Sequence, residues 1–581
     1  MGMEARVPVL ALTSSLGLMV LALACAPTPA TAPATPGGAV APAPGAPGAP
    51  APAAQMEPVR GGVFRIGNHG DLVDFDMATE GGALHLSVGG LVQSGMLKWD
   101  KSPIFDQTKV TCDLCETWRQ VNETSYEFKL RQGVKWQNVP PVNGRELVAA
   151  DYKYTVERIQ NLGFKNITQF GRHLDKVRNI KSVETPDKYT VKVEMKEPRA
   201  IALMDFGDPF ILVVAKEQVD EALSTGDGLL RKGLVGTGPF ILKEFTPKVS
   251  YTMVRNPDYF GKDAQGRPLP YLDGAEVRFI PDNTTRFNAF RAGEIHDPGF
   301  FMSEESKRII DRQHPDLFMG RVPGQTTAGF AINLKRKPFD DVRVRKAMYL
   351  AFDRQGLIDA TRFGQAQLAR WVATPAKGAY ATPEEELKKT PGFRQPKDQD
   401  VAEAKKLLAE AGLASGFKTT MSVIKSGDIE ANAEVFAEQM RKSLGIDIAL
   451  QPMERAVHEK EVAAGTFDLS AEYTIFGSTP DPAETMWLIE GGNPNNYIGY
   501  SNPTMSELFE KQSRTLNVEE RKKLFFQMYD ILDREVPIIP AYTDNNYKGY
   551  PKKCHNINEE PRYNTLIRYM FEAWCEAGVL K

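Results

Sequence analysis

Alternation of apolar and polar side chains marks several strands along this chain. Tyr126, Phe128 and Leu130 alternate with polar residues, and two further runs, Phe240–Phe245 and Ser250–Arg255, are broken by a Thr-Pro turn. Because successive side chains of a strand point to opposite faces, this period of two predicts half-buried strands. Further strands are predicted near residues 61–67 and at Ala275–Ile280, Phe330–Leu334 and Ile446–Gln451.

A helical period separates these predicted strands. Asp282 or Asn283 can cap a helix that carries Phe287 and Phe290 on one face, and Gly293 can end it. A second helix, with a buried stripe of Val344, Ala347 and Met348, is capped by Asp340 or Asp341. Further helices are predicted at Ala149–Leu162, Val401–Ala411, Ile429–Leu444 and Glu519–Glu535. A chain of 581 residues exceeds what one hydrophobic core usually serves, so two or more lobes are expected.

The first 59 residues have a different composition. Residues 1–24 contain an apolar run that ends in Ala22-Leu23-Ala24, which predicts an export signal peptide. The following Cys25 resembles the lipid-bearing cysteine of bacterial lipoproteins, and simple cleavage after Ala24 is the alternative. Residues 25–59 are almost entirely Ala, Pro, Gly and Thr, and this composition predicts an extended, disordered tether.

Charge and motifs exclude several function classes. The 71 basic and 74 acidic side chains nearly balance, and no basic cluster interleaved with aromatic residues indicates nucleic-acid binding. The sequence contains no H-E-x-x-H, G-x-S-x-G or G-x-x-x-x-G-K-[ST] motif. We expect no enzymatic activity, no cofactor and no metal.

Four cysteines follow Cys25, and they allow three disulfide pairings: Cys112, Cys115, Cys554 and Cys575. In an exported protein structural disulfides are the default. A redox pair at Cys112 and Cys115 and a four-thiolate zinc site are the alternatives.

The stretch from Gly236 to His296 contains an unusually specific series of turn-forming residues between its predicted strands. It reads GTGPF from Gly236, RNPDYF from Arg255, LDG from Leu272 and GEIH from Gly293. Two glycines beside a proline predict a tight turn in which glycine supplies φ > 0. Three further blocks occur elsewhere in the chain: YEFKLRQGVKW from Tyr126, PFDDVRVRKA from Pro338 and AFDR from Ala351. Together these blocks resemble the extracytoplasmic solute-binding proteins of ABC importers, family 5, which includes oligopeptide-, dipeptide- and nickel-binding proteins.

The resemblance implies an α/β, two-lobe fold of the periplasmic-binding-protein type II (Venus-flytrap) kind, with the extra domain of the peptide-binding family. The implied parts are lobe I at 60–87, 226–328 and 545–581, the extra domain at 88–225, and lobe II at 329–544.

The resemblance also implies where a ligand would lie. Backbone at Glu80, Gly81 and Gly82 would follow an extended ligand, although a solvated loop is an equal alternative. Peptide-binding members carry an aspartate, which pairs with the peptide ammonium, at the position of Ser478, and a neutral hydroxyl cannot offset a buried ammonium. The remaining implied ligand contacts are Phe476, Asp481, Trp487, Asn496 and Tyr542.

The function implied is capture of a small solute, foremost short peptides, and delivery to an ABC permease and its ATPase. The protein would act outside the cytoplasm, anchored to the membrane through Cys25. A sugar, a nickel chelate or another polar solute is the alternative within the family. A secreted thiol-redox protein or hydrolase, or a lipoprotein adhesin or sensor, is the alternative of another class.

Overall fold

The computed structural model describes residues 56–70, 72, 74–77, 83–99, 106, 108–161, 174–226, 230, 232–299, 302–322, 324, 327–371, 375–471, 481–486, 496–557 and 567–580. The chain divides into two units, Met1–Met56 and Glu57–Lys581, and all elements given below belong to the second. None of the helices in this described part is both long and apolar enough to cross a membrane.

The chain up to Thr225 is built from short strands and helices. The strands are β1 (Val63–Asn68), β2 (Leu97–Trp99), β3 (Val110–Cys112), β4 (Cys115–Gln120), β5 (Ser125–Leu130), β6 (Ile180–Asp187) and β7 (Thr190–Met195). The helices are α1 (Ala83–Val92), α2 (Ala149–Asn161), α3 (Leu174–Arg178), α4 (Ala202–Phe206) and α5 (Lys216–Thr225). The predicted alternation is confirmed in β5, where Tyr126, Phe128 and Leu130 are buried.

The segment from Phe240 to Val322 adds β8 (Phe240–Thr246), β9 (Ser250–Arg255), β10 (Gly274–Phe279), α6 (Asn283–Arg291), α7 (Glu304–Gln313) and β11 (Leu317–Val322). Sheet A has the order β1-β10-β9-β8, with β1 parallel to β10 and the other pairs antiparallel. Sheet B, of order β4-β5-β7-β6, is antiparallel throughout. Asp282 caps α6 by accepting from the Thr285 N–H, which confirms that helix.

The next segment carries β12 (Thr327–Ile332), β13 (Lys418–Ile424), β14 (Asp447–Met453), β15 (Leu469–Ser470) and β16 (Ile538–Thr543). Its helices are α8 (Val342–Ala351), α9 (Arg354–Arg362), α10 (Glu384–Leu387), α11 (Asp398–Glu410), α12 (Gly427–Leu444), α13 (Arg455–Ala464), α14 (Pro482–Met486), α15 (Pro503–Arg514) and α16 (Val518–Glu535). The strands form sheet C, of order β14-β13-β15-β12-β16. Asp341 caps α8 by accepting from the Arg343 N–H.

The chain closes with β17 (Asn546–Pro551), β18 (Cys554–His555) and β19 (Trp574–Cys575). β11 pairs with β17, while β12 and β16 pair within sheet C. The chain therefore passes twice between the β11–β17 ribbon and sheet C, from Val322 to Thr327 and from Thr543 to Asn546. We call these two links the crossing region.

The glycines of the predicted tight turn serve close packing and do not supply positive φ, so that part of the prediction is wrong. Neither Gly236 nor Gly238 is among the glycines with positive φ. A Cβ atom on Gly236 would lie 1.9 Å from the carbonyl oxygen of Val92, and one on Gly238 would lie 2.7 Å from that of Leu91. Glycine is needed here because the turn packs directly on the backbone of α1.

Three other differences have local causes. β8 is predicted as a strand only, and the structure adds a shift in its pairing with β9 between Leu242 and Glu244, as a β-bulge produces. Helix α11 begins at Asp398, three residues before the predicted Val401, because a polar first turn gives no apolar signal. The predicted boundary between residues 87 and 88 falls inside α1, whose Val88 packs in the core of sheet A. The division into lobes otherwise stays a prediction.

The four described cysteines form two disulfide bonds, Cys112–Cys115 and Cys554–Cys575. The first closes the turn between β3 and β4, and the second joins β18 to β19. Within the described ranges, no group of three or more His, Cys, Asp or Glu side chains could hold a metal ion.

Candidate functional site

Three of the predicted ligand contacts fall in the described part of the chain: Asp481, Asn496 and Tyr542. The others lie outside the described residues, as does Cys25: Glu80, Gly81, Gly82, Phe476, Ser478 and Trp487. The roles of all nine contacts and of Cys25 stay predictions. The three described side chains are nevertheless informative, because each has a defined partner inside the protein.

Asp481 begins the turn into α14 and is fully buried. Its two carboxylate oxygens accept hydrogen bonds from the two Nη atoms of Arg521 at 2.6 and 2.9 Å. Oδ1 also accepts from the N–H of Ala483 at 2.8 Å. Such a bidentate, charge-assisted pair is among the stronger polar contacts in proteins. Because a protein cation already neutralises Asp481, a ligand ammonium would have to share this carboxylate.

Arg521 is the centre of a larger group, which we call the arginine cluster and which comprises Tyr380, Asp481, Gln512 and Arg521. The guanidinium donates to Gln512 Oε1 at 2.8 and 3.0 Å and to the Tyr380 hydroxyl at 3.2 Å. Burial alone would lower the pKa of Arg521, but the Asp481 carboxylate outweighs this effect and raises it. Within the described residues, the buried Gln512 Nε2 has no hydrogen-bond acceptor.

The arginine cluster lies next to a second charged pair from another part of the chain, in which Asp205 is buried and Arg199 is partly exposed. Arg199 precedes α4 and donates to the carboxylate of Asp205. Burial alone would lower the pKa of Arg199, but the Asp205 charge raises it, and Asp481 contributes in the same direction. Nearby, the Ala200 N–H donates to the Ser513 carbonyl at 2.8 Å, and Arg514 Nε lies 2.8 Å from Glu197 Oε2. We call these last two interactions the side contact.

Tyr542 lies at the end of β16, one residue before the crossing region, and is 1% exposed. Its hydroxyl accepts from Asn432 Nδ2 of α12 at 2.8 Å, and the Arg362 guanidinium stands 5.0 Å from the ring centre. Burial raises the pKa of Tyr542, and the Asp544 carboxylate adds to that shift. In this structure the side chain joins sheet C to α12.

Asn496 holds a local turn. Its Nδ2 donates to the Tyr500 carbonyl at 2.6 Å, and its Oδ1 accepts from the Tyr500 N–H at 3.3 Å. The Tyr500 hydroxyl in turn donates to Glu535 at the end of α16. The turn before α15 is therefore fastened to the end of α16.

The crossing region is held by paired backbone and by one ion pair. Thr543 and Gln367 exchange both backbone hydrogen bonds, at 2.8 and 2.9 Å. Arg362 Nε lies 2.9 Å from Asp544 Oδ1. The Asp544 side chain is about half exposed, at 51%, so this ion pair is only partly shielded from water. These contacts fasten the link between β16 and β17 to the segment that follows α9.

Buried polar atoms gather in the crossing region. Within the described residues, Oγ1 of Thr327, Oγ1 of Thr543, Oε1 of Gln367 and Oδ1 of Asn545 have no hydrogen-bond partner. Thr327 and Thr543 are directly opposite each other in the β12–β16 pair. Buried polar side chains nearly always find a partner, so such a cluster is a place for ordered water or a polar ligand group.

A buried carboxylate, Asp297, lies on the sheet A side of the crossing region. Its Oδ1 accepts from the Gly299 N–H at 2.7 Å, and its backbone bridges β1 at Ile66. Burial raises the pKa of Asp297 to about 6, and the charges of Lys548, in β17, and Arg286 counteract only part of this rise. Next to it, burial lowers the pKa of His296 to about 4.

Sequence reasoning missed Arg199, Arg521, Gln367 and Asp544 as parts of this region. The only available signal was polarity in otherwise apolar surroundings: Arg521 is 1% exposed in the first turn of an amphipathic helix. A charged residue on the predicted buried face of α16 would have indicated a buried partner.

Comparison with known proteins agrees with this geometry. The model of the bacterial extracellular solute-binding proteins, family 5 (middle), matches residues 109–497, which is more than half of the chain. Di/tripeptide-binding protein 1 of Pseudomonas aeruginosa (strain UCBPP-PA14) is 26% identical over 476 residues, covering 78% of this chain and 84% of that protein. Heme-binding protein A of Haemophilus influenzae is 27% identical over 460 residues, covering 75% and 79%.

Solved structures share the fold. The binding protein DppA of Helicobacter pylori in complex with the peptide STSA has a TM-score of 0.70 at 22% identity, covering 89% of this chain and 99% of that one. CtaP of Listeria monocytogenes has a TM-score of 0.73 at 20% identity, covering 89% and 99%. The fold is thus the α/β periplasmic-binding-protein type II fold. The chain belongs to the bacterial extracellular solute-binding proteins, family 5.

Proposed function

We propose that this protein is the capture component of an ABC importer that takes up short peptides. The observation that carries the proposal is the family match over residues 109–497. Relatives named as di/tripeptide- and dipeptide-binding proteins support the choice of ligand. The protein would work outside the cytoplasm, with an ABC permease and its ATPase as partners and Cys25 as a lipid anchor.

Uptake would depend on movement of two lobes about the crossing region. A peptide that contacts both lobes stabilises the conformation in which they lie together, because it gains contacts there that it lacks in the open form. That conformation would dock on the permease. This cycle makes and breaks no covalent bond in the solute, so the protein is proposed to be a carrier and not an enzyme.

The charges available constrain how a peptide would be held. Asp481 is already paired with Arg521, and the position that carries an aspartate in peptide-binding members is Ser478. We therefore propose recognition mainly through the peptide backbone, as in strand addition, with little contribution from the terminal ammonium. This recognition would tolerate many side chains.

The test is native mass spectrometry of the purified protein, followed by release and identification of the bound solute. We expect a heterogeneous set of short-peptide masses. A single discrete non-peptide mass would contradict the ligand assignment while leaving the family unchanged. That outcome has precedent in the fold, since a structural neighbour is the binding protein AgaA in complex with agropinic acid.

A matched ligand pair tests the proposed binding mode. An identified peptide and its N-acetylated form are compared by titration calorimetry. We expect the Kd values to differ by less than tenfold, which is about 1.4 kcal/mol in binding free energy. The reason is that the proposed site has no unpaired carboxylate to bind the ammonium. A loss of a hundredfold or more on acetylation would show that a carboxylate does bind the ammonium.

A further inference from the structure

The Cys112–Cys115 disulfide lies beside a cavity that the proposed transport function does not use. This cavity of about 730 Å³ lies between the β3–β4 turn, the segment after Asn256 and the 3-10 helix Ile567–Glu572. Cys112 is partly exposed and lines it, whereas Cys115 is fully buried in the core beneath sheet B. A molecule in the cavity therefore reaches Cys112 and not Cys115.

The turn that carries this disulfide is held without it. The N–H groups of Asp113 and Leu114 donate to the carbonyls of Met96 and Gly95 at 3.2 and 3.1 Å. The Asp113 carboxylate accepts from the Gly95 N–H at 3.0 Å. Arg131 donates to the carbonyls of Asp113 and Leu114, both at 2.9 Å. Opening the S–S bond would leave these contacts in place.

The other disulfide differs in each respect. Cys554 and Cys575 are 3% and 5% exposed and are separated by 21 positions, against three for the first pair. In the chain-entropy model a disulfide stabilises more when it closes a longer loop. The Cys554–Cys575 bond is thus suited to a structural role, while Cys112–Cys115 contributes less to stability and is more accessible.

The cavity wall combines aromatic surface with charges of both signs. The rings are those of Tyr259, Phe260 and Phe571. The charged side chains are three cations and three anions: Lys98, Arg131, Lys262, Asp113, Glu116 and Glu572. Such a wall suits a small molecule that carries both an ammonium and a carboxylate.

We propose that Cys112 reversibly captures small zwitterionic thiols, such as cysteine or a cysteine-containing dipeptide. The ligand thiol loses its proton, and the thiolate attacks Sγ of Cys112. The Cys112–Cys115 bond breaks, its electron pair goes to Sγ of Cys115, and Cys115 takes up a proton. The product is a mixed disulfide on Cys112 and a free thiol on Cys115. Attack by Cys115 on Cys112 reverses each step and releases the ligand, so no external oxidant or reductant is consumed.

Intact-mass analysis tests the proposal on the purified protein. The protein is incubated with L-cysteinylglycine, quenched with acid, unfolded and alkylated with N-ethylmaleimide. We expect one probe on Cys112 and one alkyl group on Cys115 after peptide mapping, with Cys554–Cys575 intact. No adduct, an adduct on Cys115, or opening of both disulfides at equal rates would overturn the proposal.

A neutral thiol separates recognition from simple reactivity. N-acetylcysteine amide carries no charge, and its rate is compared with that of cysteinylglycine at equal thiolate concentration. We expect cysteinylglycine to react at least tenfold faster. Lys262→Gln and Glu116→Gln, at two exposed side chains, are each expected to reduce that ratio about threefold. Equal rates for the two thiols, or a ratio unchanged in both variants, would overturn the role of the cavity.

Discussion

Two polar connections between the part of the chain that contains sheet C and the rest of the molecule differ in kind. The crossing region is continuous chain, and its Thr543 exchanges two backbone hydrogen bonds with Gln367, which follows α9. The side contact consists of one backbone hydrogen bond, from Ala200 to Ser513, and the Glu197–Arg514 ion pair. Both side chains of that ion pair are about half exposed, at 45% and 52%.

The difference indicates which of the two polar connections opens more easily. An exposed ion pair contributes roughly 0–1 kcal/mol, and it is weakened by salt. The crossing region is continuous chain and cannot part, so a movement of the two parts would have to turn about it, as about a hinge. We infer that the side contact opens and closes while the crossing region stays paired. The predictions below test each half of this comparison.

The largest expected effect comes from the arginine cluster behind the side contact. Arg521→Leu leaves the Asp481 carboxylate buried without its cation, and we expect a loss of about 3–5 kcal/mol in the free energy of unfolding. Urea denaturation measures it. The double variant Arg521→Leu with Asp481→Leu removes both charges, and it should recover part of the loss. A single variant as stable as the wild type would contradict the pairing.

The raised pKa of Asp297 predicts how the free energy of unfolding depends on pH, and this dependence tests the sheet A side of the crossing region. Its folded pKa of about 6 is above its ordinary 3.8, so the folded protein holds a proton that the unfolded chain has released. Its contribution to stability is therefore greatest below about pH 4 and falls as pH rises to about 6. Asp297→Asn abolishes this loss while keeping an acceptor for the Gly299 N–H.

We accordingly expect the stability of Asp297→Asn relative to the wild type to rise by about 2–3 kcal/mol between pH 4 and pH 7. Urea titrations across that range measure the difference. A difference that does not change with pH would mean that Asp297 ionises normally.

Tyr542→Phe tests the attachment of β16 next to the crossing region. The change leaves Asn432 Nδ2 without its acceptor, and we expect a loss of about 1–2 kcal/mol. Tyr529→Phe is the matched control, because the buried Tyr529 hydroxyl has no partner within the described residues. The control should be neutral or stabilising. Equal losses in both variants would indicate a packing effect instead of the hydrogen bond.

The smallest effect on stability is expected at the side contact itself. Glu197→Gln removes the ion pair with Arg514, and the free energy of unfolding should change by less than about 0.5 kcal/mol. Exchange of the Ala200 amide with solvent should nevertheless become about twofold faster, because the contact opens more often. Asp220→Asn, in an exposed pair within α5, changes the same charge elsewhere and should leave that exchange rate unchanged.

Much of the fold could be predicted because its signals are local. The caps of α6 and α8 required only a choice between neighbouring residues, and the structure selects Asp282 and Asp341. The family blocks then implied the type II fold that the comparisons confirm.

The site could be predicted less well because its contacts join distant positions. Asp481 and Arg521 are 40 residues apart, and Gln367 and Thr543 are further apart still. No local pattern encodes such pairs, since each side chain alone resembles a surface residue. The close packing of Gly236 on Val92 was missed for the same reason, and a turn conformation was predicted instead.

The most direct test of the account is amide hydrogen exchange at two positions, with and without a bound peptide. The Ala200 N–H reports the side contact, and the Thr543 N–H reports the crossing region. We predict that peptide slows exchange at Ala200 more than tenfold, while Thr543 is protected in both states. Equal protection of Ala200 with and without peptide, or loss of protection at Thr543 in the free protein, would contradict the account.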